Sequence, residues 1–360
     1  MLKGNKGEWS ELYTFLKLLG EGELYAADEK MERLHNIYYP IIKVLRIEKG
    51  KELEYVCDDE FIIIDDERNN HTTKIPIIEF QKYALLLLDK IKSASGSSFT
   101  IQEIDQFLEL IKFDTLKSKS SRKSDIRIVV HDSNTGMKPM LGFSIKSKLG
   151  RPSTLFNAGK STNLVYKING DINDTDLQQI NSINTRTHKI RNRLALMEQK
   201  DLTLDFVKVS NEMFDLNLKV IDSEMPKILS ELVLYYFSGR GSHLSELSKL
   251  IEKENPLNYN NLLGHNFYEY KLKAFLRDVA LGLTPRKRWD GEFDATGGYI
   301  IVKEDGELVC YHIYNQNEFQ GYLLNNTKLD TPSSSKHGFG EVYKVGNEYF
   351  FNLNFQIRFN

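Results

Sequence analysis

Asp125-Ile126-Arg127-Ile128-Val129-Val130-His131 and Met140-Leu141-Gly142-Phe143-Ser144-Ile145-Lys146 are strand-like segments on either side of a turn rich in Asp, Ser, Asn and Gly. That pattern predicts an antiparallel hairpin. A turn centred between residues 135 and 136 sets Asp125 opposite Lys146. Cross-strand partners share a face, and so do residues two apart on one strand. Asp125, Arg127, Ser144 and Lys146 therefore gather on one side, with Ile126, Ile128, Phe143 and Ile145 packing on the other.

Upstream, Gly7 to Leu19 has helical spacing. At about 100° per residue, Leu12, Phe15, Leu16 and Leu19 form one stripe and Ser10, Thr14 and Lys17 oppose it. Glu8 projects from the stripe and Glu11 sits on its edge. An acid in a first turn gains a few tenths of a kcal/mol from the helix dipole; a carboxylate aimed at the core asks for a further reason.

Between these segments the sequence predicts strands Ile37–Val44 and Phe61–Ile64 around an acidic loop, then helices Glu79–Ile91 and Ile101–Ile111, the second capped by Ser98 or Thr100, and a basic loop over 117–124. Helix Thr187–Gln199 and strand Leu202–Val209 complete an α/β core region, 1–221, with a mixed sheet. A C-terminal helical and β-hairpin region, 222–360, carries helices Met225–Phe237, Leu244–Lys253 and Phe267–Leu281. Hairpins follow around Asp305-Gly306 and Gly346-Asn347.

The chain has 360 residues, a net charge of −2 and only Cys57 and Cys310, which excludes a disulfide framework and a Cys-x-x-Cys zinc site. No apolar run exceeds the length of Tyr83–Leu88, far short of the roughly 20 residues of a membrane span. With no apolar secretory region after Met1, the expected location is cytoplasmic. Charge is unevenly placed. Residues 48–67 hold nine acids and two lysines, whereas 133–170 hold six bases and no acid, extended upstream by Lys117, Lys119, Arg122 and Lys123. Such asymmetry on a neutral protein suits a phosphate-binding surface; a solvated face is the plain alternative.

The Asp125 and Ser144-Ile145-Lys146 hairpin, preceded by a helix with Glu11 four places after Gly7, resembles the PD-(D/E)xK nuclease core. Wider stretches are similar to the HpaII-type restriction endonucleases: Lys6-Gly7-Glu8-Trp9-Ser10-Glu11-Leu12-Tyr13, Gly142–Gly150 with Pro152–Leu155, Arg288–Gly291 to Asp294–Tyr299, Asn326–Leu329 and Ser335–Gly340. The resemblance implies a type II enzyme that cuts double-stranded DNA, with CCGG the site of the family's namesake. It also implies a cognate DNA methyltransferase as functional partner, and a homodimer is one assembly it admits. Asp125 and a helix glutamate would hold Mg²⁺, and Lys146 would position or activate water. These are suitable residue types, since a hard cation prefers oxygen ligands and polarises phosphate. Ser144 departs from the pattern, which usually has Glu, Asp or Gln there. No acid follows in 150–170, so Glu11 or Glu8 is the candidate substitute, Glu11 favoured by the Gly-x-x-x-Glu spacing.

Side chains able to read base edges after that strand are Arg151, Asn157 and Asn163, with Lys328, Lys336 and His337 further on. Lys148, Lys160, Arg286 and Lys287 are candidates for phosphates, and the two basic tracts are expected to line one DNA cleft. Competing readings are a non-catalytic DNA-binding protein on a decayed nuclease core, for which Ser144 argues, and a structure-specific nuclease. Gly159-Lys160-Ser161 lacks the glycine of a phosphate loop at Thr154, and Asp290 and Asp294 suit loop capping better than a second acidic site.

Overall fold

The computed structural model describes residues 1–48, 50–66, 71–116, 124–132 and 136–360. It divides into two compact units: Met1–Ser153 with Phe293–Tyr322, and Thr154–Glu292 with Leu323–Asn360. A division at 221/222 falls inside the second unit. Lys117, Lys119, Arg122 and Lys123 and the hairpin turn at 133–135 lie outside the described residues.

The first unit is a mixed sheet of nine strands backed by two helices. In order across the sheet run Glu23–Ala27, Leu308–Tyr311, Gly298–Val302, Met140–Ser147, Ile126–Val130, Arg33–Glu48, Lys51–Cys57, Phe61–Asp66 and His71–Pro76. Gly298–Val302 runs parallel to Met140–Ser147, and Leu308–Tyr311 runs parallel to Glu23–Ala27. The long strand Arg33–Glu48 pairs with Glu23–Ala27 through its first half and with Ile126–Val130 through its second, so six strands close on themselves. What reads in sequence as an acidic loop is strand Lys51–Cys57: Leu53 and Tyr55 are buried, and Glu52 and Glu54 alternate with them. Strand period outweighs acid content there.

The expected first helix spans Lys6–Glu21 (α1). Asn5 caps it reciprocally, accepting from the Glu8 amide at 3.0 Å while the Glu8 carboxylate accepts from the Asn5 amide at 2.8 Å. Gly22, at φ 71°, ends it in the left-handed region. Its apolar stripe, with Trp9, Leu12, Phe15, Leu16 and Leu19 fully buried, packs on the sheet and on helix Ile77–Ser93 (α2). α2 comes so near that a Cβ on Gly20 would lie 3.0 Å from Gln81, whose amide donates to the Gly20 carbonyl at 2.7 Å. The segment read as Ile101–Ile111 splits into a 3-10 turn, Gln102–Ile104, and a short helix, Asp105–Leu110; neither Ser98 nor Thr100 caps it.

In the second unit, helices Met225–Phe237, Leu244–Glu254 and Phe267–Leu281 form as read. Two small antiparallel sheets accompany them. One orders Thr154–Phe156, Gln356–Phe359 and Thr327–Asp330; the other orders Thr203–Val209, Leu164–Asn169, Glu348–Leu353 and Val342–Val345. The tail hairpin around Gly346 is real, but its second arm divides after Leu353 and continues in the other sheet. The Asp305-Gly306 hairpin is also real and belongs to the first unit, beside the strand of Lys146.

Candidate active site

The hairpin that carries the candidate residues forms with a different register. Ile126 faces Phe143 and Val129 faces Met140, so it is Ser144, not Lys146, that stands level with Asp125. A shift of two residues keeps every side chain on its face, and the polar cluster survives. Asp125 Oδ2 accepts from the Ser144 hydroxyl at 2.9 Å and from the Ile145 amide at 2.7 Å. Lys146 Nζ donates to the same hydroxyl at 3.0 Å. Ser144 thus bridges the acid and the base. Arg127 does not join them: its guanidinium pairs with Glu52 at 2.6 Å.

Across the cluster stands Glu11 on α1. Burial, with the Asp125 charge adding to it, pushes the Glu11 carboxyl up to about 8, while Arg46 and Lys146 pull the other way. Burial likewise draws the Lys146 ammonium below its ordinary range, opposed by Asp125 and Glu11. Tyr299, on the parallel neighbour strand and level with Ser144, places its ring centroid 5.0 Å from Lys146 Nζ. Glu8 is in the capping box of α1. The helix is tied to the sheet at this point, with the Ser10 and Ser147 hydroxyls 2.8 Å apart.

Glu11 and Lys146 line an open cleft of about 1030 Å³, together with Lys6, Gly150 and Arg151. Asp125 lines a separate, much smaller cavity with Arg46 and Arg127. Arg46 is the residue the sequence reading missed. It is buried, paired with Glu48, donates to the Thr115 carbonyl and stacks 3.8 Å from the Phe113 ring centroid. Nothing local marks it, because its neighbours come from distant strands.

Lys148 is half-buried, its backbone amide donating to the Val302 carbonyl at 2.9 Å. The remaining candidates lie in the second unit. Lys160, Lys336 and His337 come together: burial and then the two lysine charges hold the His337 imidazole below its ordinary range. Arg286 is close by, with Nη2 3.8 Å from where a Cβ on Gly159 would lie. Asn163 is buried, its amide donating to the His337 carbonyl at 3.0 Å, so it holds that turn. Asn217 holds the next basic loop, donating to the carbonyls of Thr284 and Lys287 and leaving the Arg286 and Lys287 side chains exposed. Asn157 is exposed, and Lys328 is half-buried in a bridge with His243. Asp290 accepts from the Glu292 amide at 3.2 Å, as a loop cap does.

Residues 5–359 match the family model described as HpaII restriction endonuclease. The chain belongs to that family. It is 48% identical over 357 residues to the type II restriction enzyme HpaII of Haemophilus parainfluenzae, covering 99% of this chain and 98% of the relative. No solved structure matches it. As a member of the HpaII family the chain is a type II restriction endonuclease, a site-specific deoxyribonuclease. Among the described residues, no helix is long and apolar enough to cross a membrane.

Proposed function

We propose that this endonuclease makes Mg²⁺-dependent double-strand cuts in DNA at a short site, CCGG by likeness to HpaII, on a PD-(D/E)xK-like core. The observation that carries the catalytic assignment is the bonded chain Asp125–Ser144–Lys146 facing Glu11. Two carboxylates suit Mg²⁺, which is commonly held by one or two protein carboxylates with water and phosphate completing its shell. No group of three or more His, Cys, Asp or Glu that could hold a metal occurs among the described residues; with two carboxylates, water and substrate phosphate would supply the remaining ligands. The metal, when bound by Asp125 and Glu11, supplies positive charge at the scissile phosphate. Lys146, positioned by Ser144 and inclined by burial toward its neutral form, takes a proton from the attacking water. The Arg151 side chain beside the cleft, and Lys160, Arg286, Lys287, Lys336 and His337 in the second unit, hold the duplex.

A four-base palindrome is matched by two-fold symmetry, so the proposed working form on DNA is a homodimer. A cytoplasmic host then needs a cognate DNA methyltransferase acting on the same sequence. Incubation with plasmid in Mg²⁺ tests the reading. Discrete fragments whose sequenced ends share one site are expected, and Asp125→Ala and Lys146→Ala should each abolish cleavage while retaining cognate binding in Ca²⁺. Shifted but intact plasmid would favour a DNA-binding protein on a decayed core, the reading that Ser144 supports.

A further inference from the structure

We infer that Asn354 is a positioning residue for DNA recognition, locking the loop of Lys160 to the turn of Lys336 and His337. The inference rests on the reading above and names what sets the spacing of three of its proposed DNA contacts. Asn354 lies where the chain leaves strand Glu348–Leu353 of one small sheet and enters Gln356–Phe359 of the other. It is fully buried.

An asparagine side chain offers two donor hydrogens and two acceptor positions on its oxygen, and burying one is costly unless they are met. Here all four are used. Nδ2 donates to the Gly159 carbonyl at 2.8 Å and to Asn163 Oδ1. Oδ1 accepts from the Phe355 amide at 2.7 Å and from the Thr162 hydroxyl at 2.9 Å. Three of the four bonds therefore end in the loop 159–163, whose one exposed residue is Lys160. Thr162 is itself fully buried, and its hydroxyl accepts from the Gly159 amide at 3.0 Å, closing the loop on itself.

The bond to Asn163 also decides which way that second buried amide points. With its Oδ1 taken by Asn354, Asn163 Nδ2 is left to donate to the carbonyls of His337 at 3.0 Å and Gly338 at 3.3 Å. Two amides in series thus run from the crossing between the sheets, through the loop, to the turn. Apolar side chains could pack such a crossing; a polar network with every member satisfied fixes one arrangement. What it fixes is a convergence of like charge. Lys160 and Lys336 both bear on the His337 imidazole, and their mutual repulsion would spread the loop and the turn if nothing tied them.

The test is a double-mutant cycle of binding in Ca²⁺ to a duplex with the cognate site. Lys160→Ala and Lys336→Ala should each weaken binding by the wild-type protein. In Thr162→Val, which keeps the side chain's volume and removes its hydroxyl, and in Asn354→Leu, each of those losses should shrink by about twofold or more, the coupling expected of linked sites. Thr162→Ser keeps the hydroxyl and should restore the full losses. Ile251→Val, a truncation in the buried face of helix Leu244–Glu254, should lower the melting temperature and leave both losses as they are. If Asn354→Leu does not fold, the two Thr162 variants decide. Undiminished lysine losses in folded Thr162→Val would overturn the positioning role, as would Thr162→Ser behaving like Thr162→Val. No loss from either lysine, in a wild type that binds and cuts normally, would place the loop and turn outside the interface and overturn it alone. Failure of wild type to bind or cut DNA would overturn the functional reading and this inference with it.

Discussion

The Ser144 hydroxyl joins Asp125 to Lys146, at the position where the proposed PD-(D/E)xK-like core would carry an acid. Ser144→Ala should therefore slow cleavage by about tenfold through a less ordered lysine, the order expected for losing a hydrogen bond to a charged group. Single-turnover rates at saturating Mg²⁺ measure it, and an unchanged rate would remove Ser144 from the site. Glu11 has a separate signature. Its carboxyl, near 8 when folded and near 4.5 when free, keeps a proton in the native state that the unfolded chain gives up. Between those values the unfolded state binds fewer protons, so stability falls as pH rises and levels off above about 8. In EDTA the wild-type melting temperature should decline from pH 5 to 8, and Glu11→Gln should flatten that decline. Equal slopes would mean that Glu11 is solvated. The face shared by Asp125, Ser144 and Lys146 was legible from alternation alone, because a two-residue slip preserves parity. The choice between Glu8 and Glu11 turned on spacing and resemblance, and Arg46 was illegible because its surroundings are assembled from residues far along the chain.

At the scale of elements, the strand of Lys146 depends on its parallel neighbour. Gly298 opens that neighbour at φ 96°, and a Cβ there would fall 2.0 Å from the Tyr311 carbonyl oxygen. Gly298→Ala should then destabilise the protein by at least roughly 1–3 kcal/mol, the strain of a left-handed non-glycine residue alone, and lower activity with it. Denaturant unfolding gives the first and plasmid cleavage the second. Wild-type stability would show that the hairpin shifts to make room. The sequence showed Asp305-Gly306 as a turn but not which sheet its arms would join, since strand order across a sheet is settled by long-range pairing. Lys51–Cys57 was hidden for another reason: its acids outweighed, in the reading, an alternation that was present.

For the whole molecule, net charge is uninformative and its distribution matters. Lys160→Ala should weaken binding to cognate and scrambled duplex alike, with a smaller salt slope, as loss of one phosphate contact requires. Lys336→Ala, if that side chain reads bases, should lower cognate affinity by about 1–3 kcal/mol and affect random duplex far less. Equal losses would make the turn a phosphate clamp. Composition and helix patterns were readable at this scale; the discontinuous partition was not, because nothing local in residues 293–322 says that they return to the first sheet.

That return has a consequence for synthesis. Translation proceeds from the N-terminus, and the strands at Gly298–Val302 and Leu308–Tyr311 emerge only after the entire stretch from Thr154 to Glu292. Until then Lys146 sits on an unpaired edge of its sheet and Tyr299 is absent from its side. On the proposed site, an unfinished chain has Glu11, Asp125 and Lys146 but not the neighbouring strands that set them, so a chain ended before residue 298 should cleave no plasmid in Mg²⁺.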